Sequence, residues 1–415
     1  MNHLPLRSTD SPARREFIRR LMGMSMAPAM RSVAPGVSVL FAGGAVAAGA
    51  PATAASTRAG ADYGRLLILI ELKGGNDGLN TLVPFADPAY ASLRPRIAQR
   101  REELVHVSER EGLHPSLAAL QPLWQGGELA LIRGVGYPRP NLSHFRSIEI
   151  WDTASASEQY IAQGWVARAF AAHPVPRTFA ADGVVIGNGE AGPLSGGGRV
   201  VTLVSTEQFL RQARLAASGR ARGGRALEHV LKVEDDITQA ASTLGGAGLL
   251  KTQMPDGPFG DAVRNAVQVL AGHGNVAALR LTLNGFDTHQ NQAGIHANLL
   301  RQLGDGLAAL KRALIELGRW DSTLIMTYAE FGRRAQENGS NGTDHGTASV
   351  HFALGGKVKG GLYGEAPRLD RLDDGNLVHA VDFRSLYATA LQRWWGIEPA
   401  TVLGGRFPPL DLLNT

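Results

Sequence analysis

The chain has 415 residues, 44% hydrophobic and 19% charged, which is long enough for one large globular domain or two ordinary ones. It contains no cysteine, which excludes disulfide bonds, thiolate metal sites and cysteine nucleophiles. The formal net charge is +5.

Residues 1–54 are predicted to be a targeting segment. Arg14 and Arg15 form a twin-arginine pair, a mostly apolar stretch runs from Leu21 to Ala50, and residues 52–54 resemble a small-residue cleavage site. Such a leader directs a protein to the periplasm or the cell exterior through the twin-arginine export machinery. A membrane anchor is the alternative, which the interruptions at residues 31 and 35 disfavour, so no stable transmembrane span is expected after processing.

The basic charge lies largely in this leader. Removing residues 1–54 takes away six arginines and two acids, so 42 − 6 leaves 36 basic residues against 37 − 2, or 35 acidic ones. A nearly neutral mature chain gives no argument for nucleic-acid binding, and none is expected. Residues 55–64 are assigned to a short linker and residues 65–415 to a single α/β domain.

The first strand of this domain is predicted at Leu66–Leu72, a near-continuous apolar run that is typical of a parallel strand covered on both faces. It leads into two glycines, then Asn76 and Asp77. Asp77 is a candidate metal ligand and Asn76 a candidate substrate contact. Alternatively, this is an Asn-Asp-Gly turn in which Asp77 caps the next element.

A second apolar strand, Leu129–Val135, precedes a rigid turn and a predicted helix. Ser143 occupies the N-cap position of that helix, where free N–H groups and the helix dipole favour an anion. Ser143 is either a nucleophile that holds a transferred phosphoryl group or a plain N-cap. His144 could be a metal ligand, a proton donor or a core histidine, and Arg146 could contact an anionic substrate or be solvated.

Residues 152–260 contain strands and a helical segment at 213–248 but no assigned chemistry. The next strand, Val276–Leu283, ends close to Asp287 and His289, two further candidate metal ligands. A long amphipathic helix, Leu299–Leu317, is expected to pack back on the sheet.

The strand Thr323–Thr327 also delivers polar residues to its carboxyl end. Glu330 is a candidate metal ligand and Arg333 a candidate substrate contact. The following loop closes with Asp344 and His345, flanked by glycines that permit close backbone approach. A capped loop with a hydrogen-bonded Asp–His pair is the alternative.

These strand ends are expected to converge. The carboxyl ends of parallel strands lie at one edge of a sheet, where open α/β folds bind their ligands. Carboxylates and imidazoles suit Zn, Mn, Mg or Ca, so one or two divalent metal ions are predicted. Two ions could clamp a phosphoryl group and activate a serine or water.

Five strings together resemble an exported bacterial family called domain of unknown function 1501. They are KGGNDGLN at 73–80, LSHF at 142–145, GFDTH at 285–289, AEFGRR at 329–334 and NGTDHG at 341–346, and the likeness extends over nearly all of residues 65–395. That family is grouped with the alkaline phosphatase and sulfatase superfamily. The resemblance implies a mostly parallel central sheet sandwiched by helices, and a metal-assisted hydrolase or transferase ancestry.

The resemblance also implies residue roles. Asp77 resembles the first-strand metal aspartate, Ser143 the helix-capping nucleophile, and Asp287 with His289 a metal pair. Phe331 follows Glu330 where the superfamily has a histidine, and Asp344 with His345 could restore the lost Asp–His pair. Sulfatase chemistry proper is disfavoured, because residues 145 and 147 are not the Pro and Arg that formylglycine formation requires.

The sequence therefore predicts an exported metal-dependent hydrolase of phosphate or sulfate esters, acting on small-molecule or polymeric substrates. The alternative is an envelope binding or scaffolding protein that has lost catalysis, which Phe331 favours. A redox enzyme has no support, because the chain carries no dinucleotide fingerprint or cysteine cluster.

Overall fold

The computed structural model describes residues 60–187, 189–205, 250–272 and 274–414, and the two-residue strand Val39–Leu40. The rest of the predicted leader and the segment 213–248 lie outside the described residues. None of the helices in the described ranges is both long and apolar enough to cross a membrane.

Fifteen strands are formed by the described residues. In chain order they are β1 (Val39–Leu40), β2 (Leu66–Lys73), β3 (Leu82–Val83), β4 (Val105–His106), β5 (Gly112–Leu113), β6 (Leu129–Gly136), β7 (Ala181–Ile186), β8 (Val200–Leu203), β9 (Val276–Asn284), β10 (Thr323–Tyr328), β11 (Ser349–Leu354), β12 (Gly361–Tyr363), β13 (Leu372–Asp373), β14 (Asn376–Leu377) and β15 (Val381–Asp382).

The same part of the chain forms nine α-helices. They are α1 (Gly78–Thr81), α2 (Pro88–Leu93), α3 (Gln121–Gln125), α4 (His144–Thr153), α5 (Trp165–Ala172), α6 (Pro258–Ala271), α7 (Gln292–Glu316), α8 (Phe383–Ala388) and α9 (Pro399–Leu403), and a π-helical turn, Thr389–Trp394, extends α8. The helix expected after Leu113 is instead a 3-10 turn, Pro115–Leu120, followed by α3. Pro122 near the start of α3 lacks the N–H that a continuous helix would need.

The main sheet is mixed but mostly parallel, as the sequence predicts. Its order is β1-β8-β7-β9-β2-β10-β11-β6-β12, and β15 also pairs with β6. Strands β8, β7, β9, β2 and β10 run parallel to one another. Strand β11 is antiparallel to both β10 and β6, and β1 is antiparallel to β8. The carboxyl ends of β2, β9, β10 and β6 therefore lie at one edge of the sheet, and the antiparallel strand β11 begins at that edge.

Helices cover both faces of this sheet. Alternate residues of β2 point to opposite sides, so Ile68 belongs to one core cluster with α6 and α7, whereas Leu69 belongs to the other with α4, α5 and α8. Tyr63, which the sequence assigns to the linker, packs edge-on against Phe170 and Trp395 of the second cluster. The domain thus includes the end of that linker.

A buried ion pair joins the central strands within this core. Arg280 of β9 donates to Oε2 of Glu71 at 2.6 Å and to the Tyr328 hydroxyl at 2.8 Å. Burial raises the pKa of Glu71, and the Arg280 charge opposes that rise. The charged state of each partner depends on the other, because neither can reach water.

Replacing Arg280 by Ala is expected to lower the free energy of unfolding by about 3–5 kcal/mol, because Glu71 is left buried without its cation. Urea unfolding followed by circular dichroism measures the change. The control is Arg264→Ala, which removes an exposed i,i+3 pair with Asp261 and should cost less than about 1 kcal/mol. Equal losses in the two variants would contradict a stabilising role for the buried pair.

Candidate metal centre

Six of the predicted metal or catalytic residues meet at the carboxyl edge of the sheet. His144 is the first residue of α4, Asp287 and His289 follow β9, and Glu330 follows β10. Asp344 and His345 lie in the loop after Glu330.

The core of this cluster is Asp287 between two imidazoles. Nε2 of His144 lies 3.4 Å from Asp287 Oδ2, and Nε2 of His345 lies 3.2 Å from Asp287 Oδ1. Donor atoms of these three residues lie within 4.8 Å of one another, a spacing that a single cation could bridge.

His289 adds a third imidazole. Its Nε2 lies 3.0 Å from Asp287 Oδ1 and 3.0 Å from Nε2 of His345. Three ring nitrogens therefore lie within 3.4 Å of the Asp287 carboxylate, and imidazoles with a carboxylate are a donor set that Zn²⁺ binds. We call His144, Asp287, His289 and His345 the metal-facing set.

Outer partners fix the protonation of His144 and His345. Nδ1 of His345 lies 2.8 Å from the carbonyl oxygen of Leu142, which can only accept, so the proton of the neutral ring is on Nδ1. Nδ1 of His144 lies 2.9 Å from Oε1 of Glu330, which is an acceptor in the same sense. Both rings in their neutral form consequently direct an Nε2 lone pair toward Asp287.

His289 follows the same rule, since its Nδ1 lies 3.3 Å from Oδ1 of Asp344. Imidazoles backed by a carboxylate or carbonyl at the distal nitrogen are the usual arrangement around protein-bound metals. Nε2 of His144 is also buried and has no hydrogen-bond partner among the described residues. The residues present therefore fit a divalent cation.

The electrostatics of the cluster favour an ionised Asp287. Burial acts to raise the pKa of Asp287, but the hydrogen bond and charge of Arg333 lower it to about 2. The hydrogen bond to Glu330 raises the pKa of His144, whereas burial lowers the pKa of His345. Asp287 is thus an anion that the neighbouring imidazoles and Arg333 surround.

Arg333 lies beneath the centre, in contrast to the substrate contact that the sequence suggests. Its side chain is fully buried, and its N–H groups meet loop backbone instead of solvent. It donates to the carbonyl oxygens of Gly75 at 2.8 Å, Thr343 at 2.9 Å, Phe286 at 3.0 Å and Gly74, and to Asp287 Oδ1 at 2.7 Å. Arg333 therefore holds the loops that carry the metal-facing set.

Asp77 bonds other groups of the protein and does not belong to the metal-facing set. Its Oδ1 accepts the Leu79 N–H at 3.2 Å, as the N-cap of α1, and its Oδ2 accepts from Arg94 at 2.6 Å. Gln292 donates to the same carboxylate. The structure therefore agrees with the alternative prediction, in which Asp77 caps the next element. Arg94 was missed by sequence reasoning, because a lone arginine in a proline-containing loop carries no motif.

Asn76 and Arg146 are also engaged elsewhere. The buried Asn76 accepts from His296 at 2.9 Å and from Thr81 at 3.1 Å through its Oδ1. The Asn76 amide nitrogen has no hydrogen-bond partner among the described residues, but the side chain is buried away from solvent. The Arg146 guanidinium donates to Glu149 at 2.7 Å and to backbone carbonyls of the loop at 156–159, so it is engaged within the protein.

Ser143 is the N-cap of α4, as expected, but its hydroxyl does not cap the helix. The side chain is exposed and makes no hydrogen bond with the residues that the structure describes. Ser143 directly precedes His144, so it joins a member of the metal-facing set in the chain.

Phe331 closes the inner side of the centre. Its buried ring lies with its centroid 4.9 Å from that of His144 and 4.5 Å from that of His345. An apolar ring therefore fills the position for which the resemblance suggests a histidine ligand.

A family model described as "Protein of unknown function (DUF1501)" matches residues 104–403. No curated protein matches the chain. Similar solved structures include the periplasmic domain of EcEptC from Escherichia coli in complex with Zn, with 10% identity, 70% of this chain and 72% of that chain covered, and a TM-score of 0.34.

Two further similar structures are a protein in the alkaline phosphatase superfamily from Vibrio parahaemolyticus and the PsFucS1 sulfatase from Pseudoalteromonas sp. The first has 10% identity, covers 74% of this chain and 63% of its own, and has a TM-score of 0.34. The second has 12% identity, covers 84% and 72%, and has a TM-score of 0.38. Likeness this distant transfers neither ligands nor activities.

Replacing Arg333 by Lys is expected to lower the free energy of unfolding by about 3–5 kcal/mol, because one ammonium cannot satisfy four buried carbonyls and Asp287 together. Chemical denaturation measures the loss. Arg334→Lys is the matched control, because among the described residues the side chain of that neighbour bonds only the exposed Asp374, at 3.4 Å. This substitution should change stability by less than about 0.5 kcal/mol. A tolerated lysine at 333 would contradict the bridging role.

Proposed function

Since this chain belongs to the DUF1501 family, whose description leaves its activity open, we propose from the geometry of the site that it is a metal-dependent hydrolase of phosphate or sulfate esters. The observation that carries the proposal is the convergence of three imidazole Nε2 atoms on the Asp287 carboxylate, each ring backed by an acceptor at Nδ1. We assign the nucleophile to Ser143, which directly precedes His144 and whose hydroxyl makes no hydrogen bond with the described residues.

The donor set favours zinc over manganese, calcium or magnesium. Imidazole nitrogens suit zinc, whereas calcium and magnesium prefer sites made wholly of oxygen. One ion rather than two is proposed, because Asp77 is neutralised by Arg94 and Phe331 fills the inner side of the centre.

When bound, the cation would act as a Lewis acid toward a nonbridging oxygen of the ester. Ser143 Oγ would form the new bond to phosphorus or sulfur while the ester oxygen leaves as the alcohol. Protons exchange with water at this open site, and a water molecule then hydrolyses the seryl ester, which restores the hydroxyl. The N–H groups of the first turn of α4 would bind the remaining anionic oxygens.

The centre is accessible to large substrates. The side chains of Asp287 and His289 are 46% and 43% exposed, so this side of the centre opens to solvent, whereas Nε2 of His144 is buried. An ester group on a small molecule or on a polymer could reach them, and both substrate classes remain within the proposal.

The twin-arginine pair supports an exported location. That pathway carries folded proteins, so a metal could be loaded before export. We place the mature protein in the periplasm or outside the cell, without a nucleic-acid partner.

A second candidate function is a catalytically inactive binding or scaffolding protein of the cell envelope. The specific observation in its favour is Phe331, whose apolar ring packs against His144 and His345 where the resemblance suggests a histidine ligand. Metal binding without turnover of any phosphate or sulfate ester would favour it over the hydrolase.

Elemental analysis of the purified mature protein is expected to find about one zinc per chain. His345→Ala should remove a ligand and abolish retention through dialysis, and Glu330→Gln should weaken affinity roughly 10–100-fold by removing the partner of His144. His106→Ala is the control, because this exposed histidine stacks on Phe85 outside the centre. Equal zinc content in all four proteins would refute the assignment of the metal-facing set.

Ser143→Ala is expected to reduce turnover of 4-nitrophenyl phosphate, phosphodiester or sulfate by at least about 100-fold while zinc content stays unchanged, because only the nucleophile is lost. Steady-state assays with each ester test this. Ser92→Ala, a serine on α2 that bonds only its own helix, should retain full activity. An active S143A protein would mean that water, not Ser143, attacks the ester.

A further inference from the structure

One aromatic side chain beside the metal centre is almost fully exposed. Phe145 is 89% exposed and Tyr160 is 76% exposed, whereas the other exposed large hydrophobic residues of the described chain lie between 47% and 54%. Covering an exposed aromatic ring with a ligand removes apolar surface from water, and this favours binding.

The position of Phe145 ties it to the centre. It follows His144, whose Nε2 faces Asp287, and it lies two residues from the free hydroxyl of Ser143. The next residue, Arg146, lies under the ring of Tyr160 at 3.9 Å. Phe145 and Tyr160 therefore both adjoin Arg146, in the first turn of α4 that also carries His144.

This turn is held firmly. Oγ of Ser147 donates to the carbonyl oxygen of Glu330, and Nδ1 of His144 lies 2.9 Å from the Glu330 carboxylate. Arg146 bonds the loop carbonyls of Ser157 at 2.9 Å and Gln159 at 2.6 Å. A backbone fixed in this way can present an exposed ring without a large ordering cost when a ligand binds.

We propose that Phe145 determines substrate specificity by binding an apolar group on the leaving-group side of the ester. The preferred substrates then carry an aryl or alkyl group next to the ester oxygen, and small hydrophilic esters are poor substrates. The inference rests on the proposed function, because the anionic head of the ester is held by the metal-facing set.

The test compares two nonhydrolysable anions on the zinc-loaded mature protein by calorimetry. Phenylphosphonate and methylphosphonate share the same charged head and differ in the apolar group. Wild-type protein is expected to bind phenylphosphonate roughly tenfold more tightly, which corresponds to covering about half of a phenyl ring. Phe145→Ala should reduce that ratio to about one, and Phe145→Tyr should preserve it.

Ile315→Ala is the matched control for loss of an exposed apolar side chain. Ile315 is 53% exposed and lies near the far end of α7, a helix of 25 residues that is about 36 Å long and begins at the site. The preference for phenylphosphonate should be unchanged in this variant.

The outcomes separate the two proposals. Equal affinity of wild-type protein for both phosphonates, or a preference that survives in F145A, would overturn the role of Phe145 and leave the hydrolase intact. Loss of zinc from F145A would mean that the Phe145 ring supports His144, and this result would also overturn the role of Phe145 in specificity. Binding of neither phosphonate by zinc-loaded wild-type protein would refute the hydrolase proposal, and the specificity proposal with it.

Discussion

The buried guanidinium of Arg333 is the interaction on which the centre depends. A charge with no access to water is stable only when acceptors surround it, and here four loop carbonyls and one carboxylate do so. Those acceptors come from the loops after β2 and β9 and from the loop before His345. Satisfying one cation therefore brings three separate segments together and turns Asp287 toward the imidazoles.

Close backbone approach makes this packing possible. A Cβ on Gly74 would lie 2.3 Å from the Asp287 nitrogen, and a Cβ on Gly75 would lie 2.5 Å from the Phe331 ring. Both glycines have positive φ, which side chains rarely adopt. The small size of the two glycines after β2 thus lets Asp287 and Phe331 pack closely against this loop.

Two polar layers with different purposes lie at this edge of the sheet. In the lower layer Asp77, Arg94 and Gln292 satisfy one another and are buried. In the upper layer three imidazoles turn their Nε2 atoms to an ionised carboxylate, and this layer is open to solvent at Asp287 and His289. Only the upper layer has donor capacity to spare for a cation, because the lower one has already used its carboxylate on an arginine.

The sequence by itself determined the strands, the edge and the kinds of residue delivered there. The apolar runs of β2, β9 and β10 specify buried parallel strands, and Ser143 specifies the start of α4, because these features depend on neighbouring residues. The antiparallel direction of β11 was not visible in its composition.

Only the tertiary structure decided which acids face a ligand. Asp77 and Asp287 both follow a buried strand, but Asp77 is held by an arginine 17 residues away and Asp287 by one 46 residues away that leaves its carboxylate beside three histidines. A short polar side chain beyond a strand end turns toward whichever partner long-range pairing brings near it. Sequence periodicity carries no information on that choice, so it belongs to the fold alone.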